Sequence, residues 1–466
     1  METYRKTEFG KGRRDFVKRS LLVSLGFVGL SQCAFGPAGP TNMLGGMMDL
    51  LRDPAEYLDL PEGFSYKIIS RAGDRMGDGF LVPARPDGMG AFPGASDGKV
   101  ILVRNHENSP EPFENSPFGN NNELLSKLRP NRIYDAGRGR TPSLGGTTTL
   151  VFDERNQQIE EQYLSLVGTN RNCAGGVTPW GSWLSCEEDV TTKGGNVEKD
   201  HGFVFEVPAA QRKPIDPVPI KEMGRFNHEA VAVDPETGIV YQTEDRHDGL
   251  IYRFVPNVKG KLQKGGRLQA LALKESKSFD TRNWDGPLMP SDRPMEVEWL
   301  DVDDVLSPKD DLRFRGFEKG ATRFARGEGI WFGDGELYFA CTNGGPNQYG
   351  QVFRYRLSPE EGNESNASKA ATLELFAESK DKTVLHMCDN LTIAPWGDLI
   401  LSEDNGELNH IRGIRPNGEV YTFATNKSSG SEFAGAVFSP SGKTLFVNIQ
   451  ENGETLAITG PWKNLS

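Results

Sequence analysis

Apolar residues in this chain recur mainly in period two, in short runs broken by Gly, Pro, Asn and Asp. That pattern predicts strands and tight turns rather than helices. The stretch NHEAVAVDPETGIVYQTED, Asn227 to Asp245, is representative: an apolar strand, a turn and a second apolar strand. His228 and Glu229 open it, and Glu244 and Asp245 close it. Five further stretches repeat the plan: Gly88–Asn108, Cys173–Asp189, Arg326–Gly345, Cys388–Asn405 and Phe433–Asn452. Most are followed by another alternating segment, such as GFVFEVP, GLIYRFVP, QVFRYRLSP or GEVYTFAT. Six such units predict an all-β fold, a six-bladed β-propeller with loop and short helical insertions. Their uneven spacing puts insertions near 109–145, with a helical patch at NNELLSKL, and near 256–325, rich in Lys, Asp and Pro. The propeller is expected over 88–466, after an extension over 37–87.

The acids at the hairpin ends carry the chemistry. The two open ends of a hairpin lie side by side, and in a propeller the innermost strands surround one channel. One mouth should therefore gather Asn105 to Asn108, Cys173, Glu187 to Asp189, His228, Glu229, Glu244, Asp245, Arg326, Glu328, Asp389, Asn390, Glu403 and Asp404. Two like charges ~4 Å apart repel by ~4 kcal/mol at an effective dielectric of roughly 20. Multivalent cations relieve that directly. Carboxylate and Asn oxygens suit calcium, while a thiolate with carboxylates also suits a transition metal. The candidate ligands are Cys173, Glu107, Glu187, Glu188, His228, Glu229, Glu244, Asp245, Glu328, Asp389, Glu403 and Asp404. The competing reading makes single acids strand-end solubilisers and His228 a core residue.

Charge sharpens this picture. The formal net charge is -12, yet residues 1–36 carry seven Lys/Arg against three Asp/Glu, so the remainder is more acidic still. An acidic body suits cations and argues against nucleic acid as a partner. The basic start is followed by an apolar run from Leu21 to Leu30, too short to span a bilayer. Arg13-Arg14 with Phe16 and Lys18 resembles a twin-arginine signal, which implies contact with that export machinery and a periplasmic or extracellular destination. No stable membrane insertion is expected after cleavage. Cys173, Cys186, Cys341 and Cys388 show no CxxC spacing, which leaves disulfides, metal ligation or simple packing open.

NCAGGVTPWGSWLSCEED, RFNHEAVAVDPETGIVYQTED, FARGEGIWF and DNLTIAPWGDLILSEDN, behind such a signal, resemble the PhoX-type alkaline phosphatases over roughly residues 88–450. The resemblance implies a six-bladed propeller with an iron pair and calcium ions at one mouth, acting on phosphate monoesters outside the cytoplasm. It implies Cys173 as the iron-bound thiolate, Arg326 as a phosphate contact and Glu328 as a metal ligand. Asn172 is a further candidate phosphate contact. This chain is shorter than the usual PhoX enzyme, so loops over the substrate are expected to be reduced. A monomer is the expected state. A calcium-dependent lactonase and a non-catalytic propeller with structural calcium are the alternatives.

Overall fold

The computed structural model describes residues 45–46, 49–291, 293–363 and 369–465. The expected export signal over 1–36 lies outside the described residues. Short strands β1 (Gly45–Gly46), β2 (Leu50–Leu51) and β3 (Leu58–Pro61) precede β4 (Ser65–Arg71). A four-stranded meander follows: β5 (Pro86–Pro93), β6 (Lys99–His106), β7 (Gly145–Asp153) and β8 (Gln158–Thr169). The next sheet holds β9 (Asn172–Val177), β10 (Ser182–Glu187) and β11 (Val204–Pro208).

Two meanders then share one nine-stranded sheet. The first is β12 (His228–Val233), β13 (Val240–Glu244), β14 (Ile251–Pro256) and β15 (Gly266–Leu273). The second is β17 (Gly327–Gly333), β18 (Glu336–Cys341), β19 (Gln351–Arg356) and β20 (Thr372–Glu378), and β16 (Met295–Asp301) joins β15 to β20. A further meander comprises β21 (Cys388–Ile393), β22 (Leu399–Glu403), β23 (His410–Ile414) and β24 (Val420–Asn426), and β3 and β1 pair with its outer strand. The last sheet is β25 (Phe433–Phe438), β26 (Thr444–Ile449) and β27 (Glu454–Thr459), completed by β4 from the other end of the chain.

The innermost strands form a closed circuit. β5 packs on β9, β9 on β12, β12 on β17, β17 on β21, β21 on β25, and β25 returns to β5. The fold is therefore all-β and propeller-like, with few helices. Strands in this circuit are covered on both faces, which explains sequences apolar or small at nearly every position; all six residues of β12, HEAVAV, are buried. Small residues let the strands close up. A Cβ added to Gly329 would lie 2.5 Å from the Leu391 nitrogen, and one on Gly176 would lie 1.9 Å from the Val231 carbonyl oxygen. Between the sheets apolar side chains pack in separate clusters: Trp183 of β10 packs with Phe92 and Ile101 of the preceding sheet, and Phe152 meets Phe446 edge-on at 5.2 Å.

The 109–144 segment holds no strand and turns through short 3-10 segments, one at Leu125–Lys127 within the expected helical patch. The 256–325 stretch, expected as an insertion, instead supplies β15 and β16 to the sheet, along with a short helix over Leu312–Glu318. Cys173, Cys186, Cys341 and Cys388 are buried free thiols. No helix among the described residues is long and apolar enough to cross a membrane.

Candidate metal centre

All six inner hairpins end alike at the site. The terminal pairs are Pro86 with His106, Asn172 with Glu187, His228 with Glu244, Gly327 with Cys341, Cys388 with Glu403, and Phe433 with Ile449. Five hairpins have a register shift just inside that pair, and in the sixth it follows one pair later, after Ala434 with Asn448. A bulge of this kind leaves a residue unpaired and re-aims its side chain. Each end is then latched by one hydrogen bond. The residue after the second strand donates its N–H to the carbonyl of the residue before the first: Glu107 to Arg85 at 2.9 Å, Glu188 to Arg171 at 2.9 Å, Asp245 to Asn227 at 3.2 Å, Thr342 to Arg326 at 3.1 Å, Asp404 to Met387 at 3.0 Å and Gln450 to Glu432 at 3.3 Å.

Three positions per hairpin therefore look onto the axis. The second residue of the inner strand supplies Asp87, Cys173, Glu229, Glu328 and Asp389, with Ala434 in the sixth hairpin. The residue after the second strand supplies Glu107, Glu188 and Asp404, and the residue before the inner strand supplies Glu432. Their donor atoms form four overlapping groups, each within 4.8 Å: Asp87–Glu107–Cys173, Cys173–Glu188–Glu229, Glu229–Glu328–Asp389 and Asp389–Asp404–Glu432. Neighbours fix individual carboxylates. Gln450 Nε2 donates to Asp87 at 2.6 Å and to Glu107 at 3.0 Å. Asn390 Nδ2 donates to Asp389 at 2.7 Å, while its Oδ1 accepts from the Gly435 N–H at 2.5 Å. Asn227 donates to Glu188 at 3.2 Å.

Burial makes this crowd costly. Burial, then Asp245, pushes the Glu188 carboxyl up to about 7; burial, then Asp404, pushes Asp389 up to about 8. Asp87, Glu229, Glu328 and Glu432 are displaced upward for the same reasons, burial first and neighbouring acids next. Burial and Glu188 also raise the Cys173 thiol, whose Sγ lies 3.0 Å from Glu188 Oε2. Glu107 is the exception: burial would raise it, but Arg85 and Arg171 hold it below the usual carboxylate range. Arg85, Arg171 and Arg326 share the position before an inner strand and have left-handed backbones, with φ of 47°, 43° and 51°. Three guanidinium groups among eight carboxylates and a thiol leave a large excess of negative charge potential. The donor set therefore fits bound cations, oxygen-rich throughout with one sulfur.

Several expected site residues are not brought into this cluster. Glu187, Glu244 and Glu403 each end a strand one residue before an axial position, so the period-two alternation turns them away from the axis. Glu187 accepts from the N–H groups of Asn170, Gly202 and Phe203 and lies 2.6 Å from His201 Nδ1. Glu244 accepts from the Leu250 N–H at 3.1 Å and Tyr252 OH at 3.0 Å. Glu403 takes His410 Nδ1 at 2.7 Å and Arg412 Nε at 2.8 Å. His228 stacks on Phe226 at 3.6 Å, and burial pushes its imidazole down to about 3. Asn172 is buried, bonded to Ser185 at 2.9 Å and Thr169 at 2.6 Å. Asp245 sits at an axial position but grips Arg326 through Nε at 2.8 Å and Nη2 at 3.0 Å.

Asp87, Glu432, Arg85 and Arg171 join the site without having been singled out in the sequence. Asp87 carried a usable signal. Like Cys173-Ala174, Glu229-Ala230 and Glu328-Gly329, Asp87-Gly88 pairs a ligand type with a small residue at a bulge. Glu432 has no such mark.

The profile of the family described as "Alkaline phosphatase PhoX" matches residues 46–453. Among solved structures, Pseudomonas fluorescens PhoX in complex with vanadate, a transition state analogue, is 20% identical with a TM-score of 0.64; the match covers 87% of this chain and 96% of that one. A gluconolactonase from Xanthomonas campestris is 12% identical with a TM-score of 0.39, covering 86% of this chain and 97% of that one. Virginiamycin B lyase from Staphylococcus aureus is 12% identical with the same TM-score of 0.39, covering 85% and 99%. No curated protein sequence matches the chain.

Proposed function

The chain belongs to the PhoX alkaline phosphatase family, and from that premise we propose how its residues divide the work. It is a metal-dependent phosphatase that hydrolyses phosphate esters. The observation that carries the detailed reading is the pooling of eight carboxylates and one thiol, drawn from all six inner hairpins, in overlapping groups with donors 4.8 Å apart or less.

We read the six hairpins with their outer strands as six blades over 88–466, preceded by the extension over 37–87 and a twin-arginine export signal over 1–36. The destination is then the periplasm or the exterior, and the protein works as a monomer. The two groups containing Cys173 hold iron, because thiolate favours a transition metal. The all-oxygen group Asp389–Asp404–Glu432 holds calcium, which accepts many carboxylate oxygens. Glu229, Glu328 and Asp389 bridge the two regions. When bound, the ions supply Lewis acidity and lower the pKa of the attacking water.

The chain's own groups orient the ester. Asp245 fixes the plane of the Arg326 guanidinium through two hydrogen bonds, and Glu328 holds its Nη2 at 2.8 Å. The unengaged Nη1 of Arg326 then donates to phosphoryl oxygens as negative charge builds on them. Arg85 and Arg171 keep Glu107 ionised, ready to hold a cation.

The test uses purified protein assayed for metal content and for release of p-nitrophenol from its phosphate ester, with and without chelator. Bound iron and calcium, with activity lost on chelation and restored by adding the metals back, are expected. Full metal loading with no phosphate release from a panel of monoesters would refute the reading.

A further inference from the structure

The residue before the inner strand has the same backbone role in all six hairpins, and in three of them it is an arginine. These three differ in what they leave free. Arg85 commits every guanidinium nitrogen: Nε to the Glu107 carbonyl oxygen at 3.1 Å, Nη1 to Glu451 at 3.3 Å and Nη2 to the Glu107 carboxylate at 2.7 Å. Arg171 uses only Nε and Nη2, at 3.1 and 2.8 Å from Glu107, with Nη2 also 2.5 Å from Glu188. Arg326 is engaged on the same two nitrogens, Nε and Nη2, by Asp245 and Glu328. Neither Arg171 Nη1 nor Arg326 Nη1 makes a hydrogen bond within the described residues. Both side chains are partly exposed, and in both the unengaged donor is Nη1, because Nη2 already serves two carboxylates.

The two also flank one hairpin. Arg171 opens β9 and Arg326 opens β17, and both strands pack on β12 between them. A phosphoryl group spreads its transition-state charge over three oxygens, and one guanidinium edge satisfies at most two of them. A purely neutralising arginine at this position would look like Arg85, with all its nitrogens committed.

We propose that Arg171 is a second phosphoryl-binding arginine, which grips the substrate together with Arg326 from the other side of the β12 hairpin, while Arg85 serves as a fixed countercharge. The proposal rests on the phosphatase reading and on Arg326 as a clamp. Arg171 thus does two things: it neutralises Glu107 and Glu188, and it binds the substrate dianion.

The experiment measures the Ki of inorganic phosphate, the kcat/KM for p-nitrophenyl phosphate and the metal content of the holoenzyme. It compares wild type, Arg171→Met, Arg326→Met and the double variant. Loss of one charge-assisted contact is expected to raise the phosphate Ki roughly 10- to 100-fold in Arg171→Met, with metals retained. The double variant should lose less than the product of the two singles, because both grips act on one group. A metal-loaded Arg171→Met with a Ki within about twofold of wild type would overturn the proposal. If Arg171→Met sheds metal, Arg171→Lys decides, since it keeps the charge between Glu107 and Glu188 but loses the planar fork. Its Ki is expected to rise at least fivefold, and a wild-type Ki there is equally fatal. An active wild type impaired by Arg326→Met but not by the Arg171 variants removes only the second arginine, whereas a metal-loaded wild type without turnover takes the phosphatase reading down with it.

Discussion

Stripping the cations should make the protein steadily less stable as pH rises, and the loaded protein should show a weaker trend. The cause is the crowd of buried acids. In the folded chain Glu188 is pushed up to about 7 and Asp389 to about 8, whereas both titrate near 4 in an unfolded chain. Between those values the folded state holds more protons than the unfolded state, so the free energy of unfolding falls as pH rises. The stabilising share of these two groups is complete below about pH 4 and gone once pH has passed roughly 8. Each pH unit of displacement corresponds to ~1.4 kcal/mol. Two carboxyls therefore cost the metal-free protein several kcal/mol, a large part of the roughly 5–15 kcal/mol that keeps a domain folded. Asp87, Glu229, Glu328 and Glu432 push in the same direction, and Glu107, held down by its two arginines, pushes against them. Bound cations replace the protons as countercharge and remove the part of the dependence that comes from the cluster, leaving that of Glu244, which lies away from it and which burial pushes up to about 7. The assay is thermal unfolding followed by circular dichroism from about pH 5 to 9 at fixed ionic strength, with and without chelator. A metal-free Tm that stays flat or rises over that range, or two curves that run parallel, would refute the electrostatic account of the site.

Four further outcomes are expected. Arg326→Ala should lower kcat/KM by ~10²- to 10³-fold with the metal complement intact, which elemental analysis checks. Cys173→Ser should lose the transition metal selectively and retain calcium; equal retention of both would remove the thiolate assignment. Glu403→Gln should leave metal content unchanged while destabilising the fold by about 3–5 kcal/mol in denaturant unfolding, because it strands the buried Arg412. Gly329→Ala should cost about 1–3 kcal/mol and loosen metal retention, since its Cβ would fall 2.5 Å from the Leu391 nitrogen; dialysis followed by metal analysis tests the second effect.

The repeated hairpins were legible because alternation, turn residues and acids at both ends recur together, as in Asn227–Asp245. The pooling of those ends followed from the architecture. What stayed hidden was the phase. In Glu187-Glu188, Glu244-Asp245 and Glu403-Asp404, one acid of each pair turns to the axis or its rim and the other into the sheet. The choice depends on a bulge, a single unpaired residue that sequence periodicity does not locate. Arg171 escaped notice because its meaning comes from equivalence with Arg326, more than a hundred residues away, and from hydrogen bonds no linear pattern records. The strands β15 and β16 were obscured by the Lys-, Asp- and Pro-rich turns around them, although GRLQALAL alternates once isolated.

The pairing of β4 with β27 joins the two ends of the described chain in one sheet. A ribosome must release nearly the whole polypeptide before β4 finds its partner. The cation site draws on every hairpin, from Asp87 to Glu432, so products truncated before Glu432 lack part of it. Cation capture at this site thereby marks a chain in which every hairpin has been made and has closed on the others.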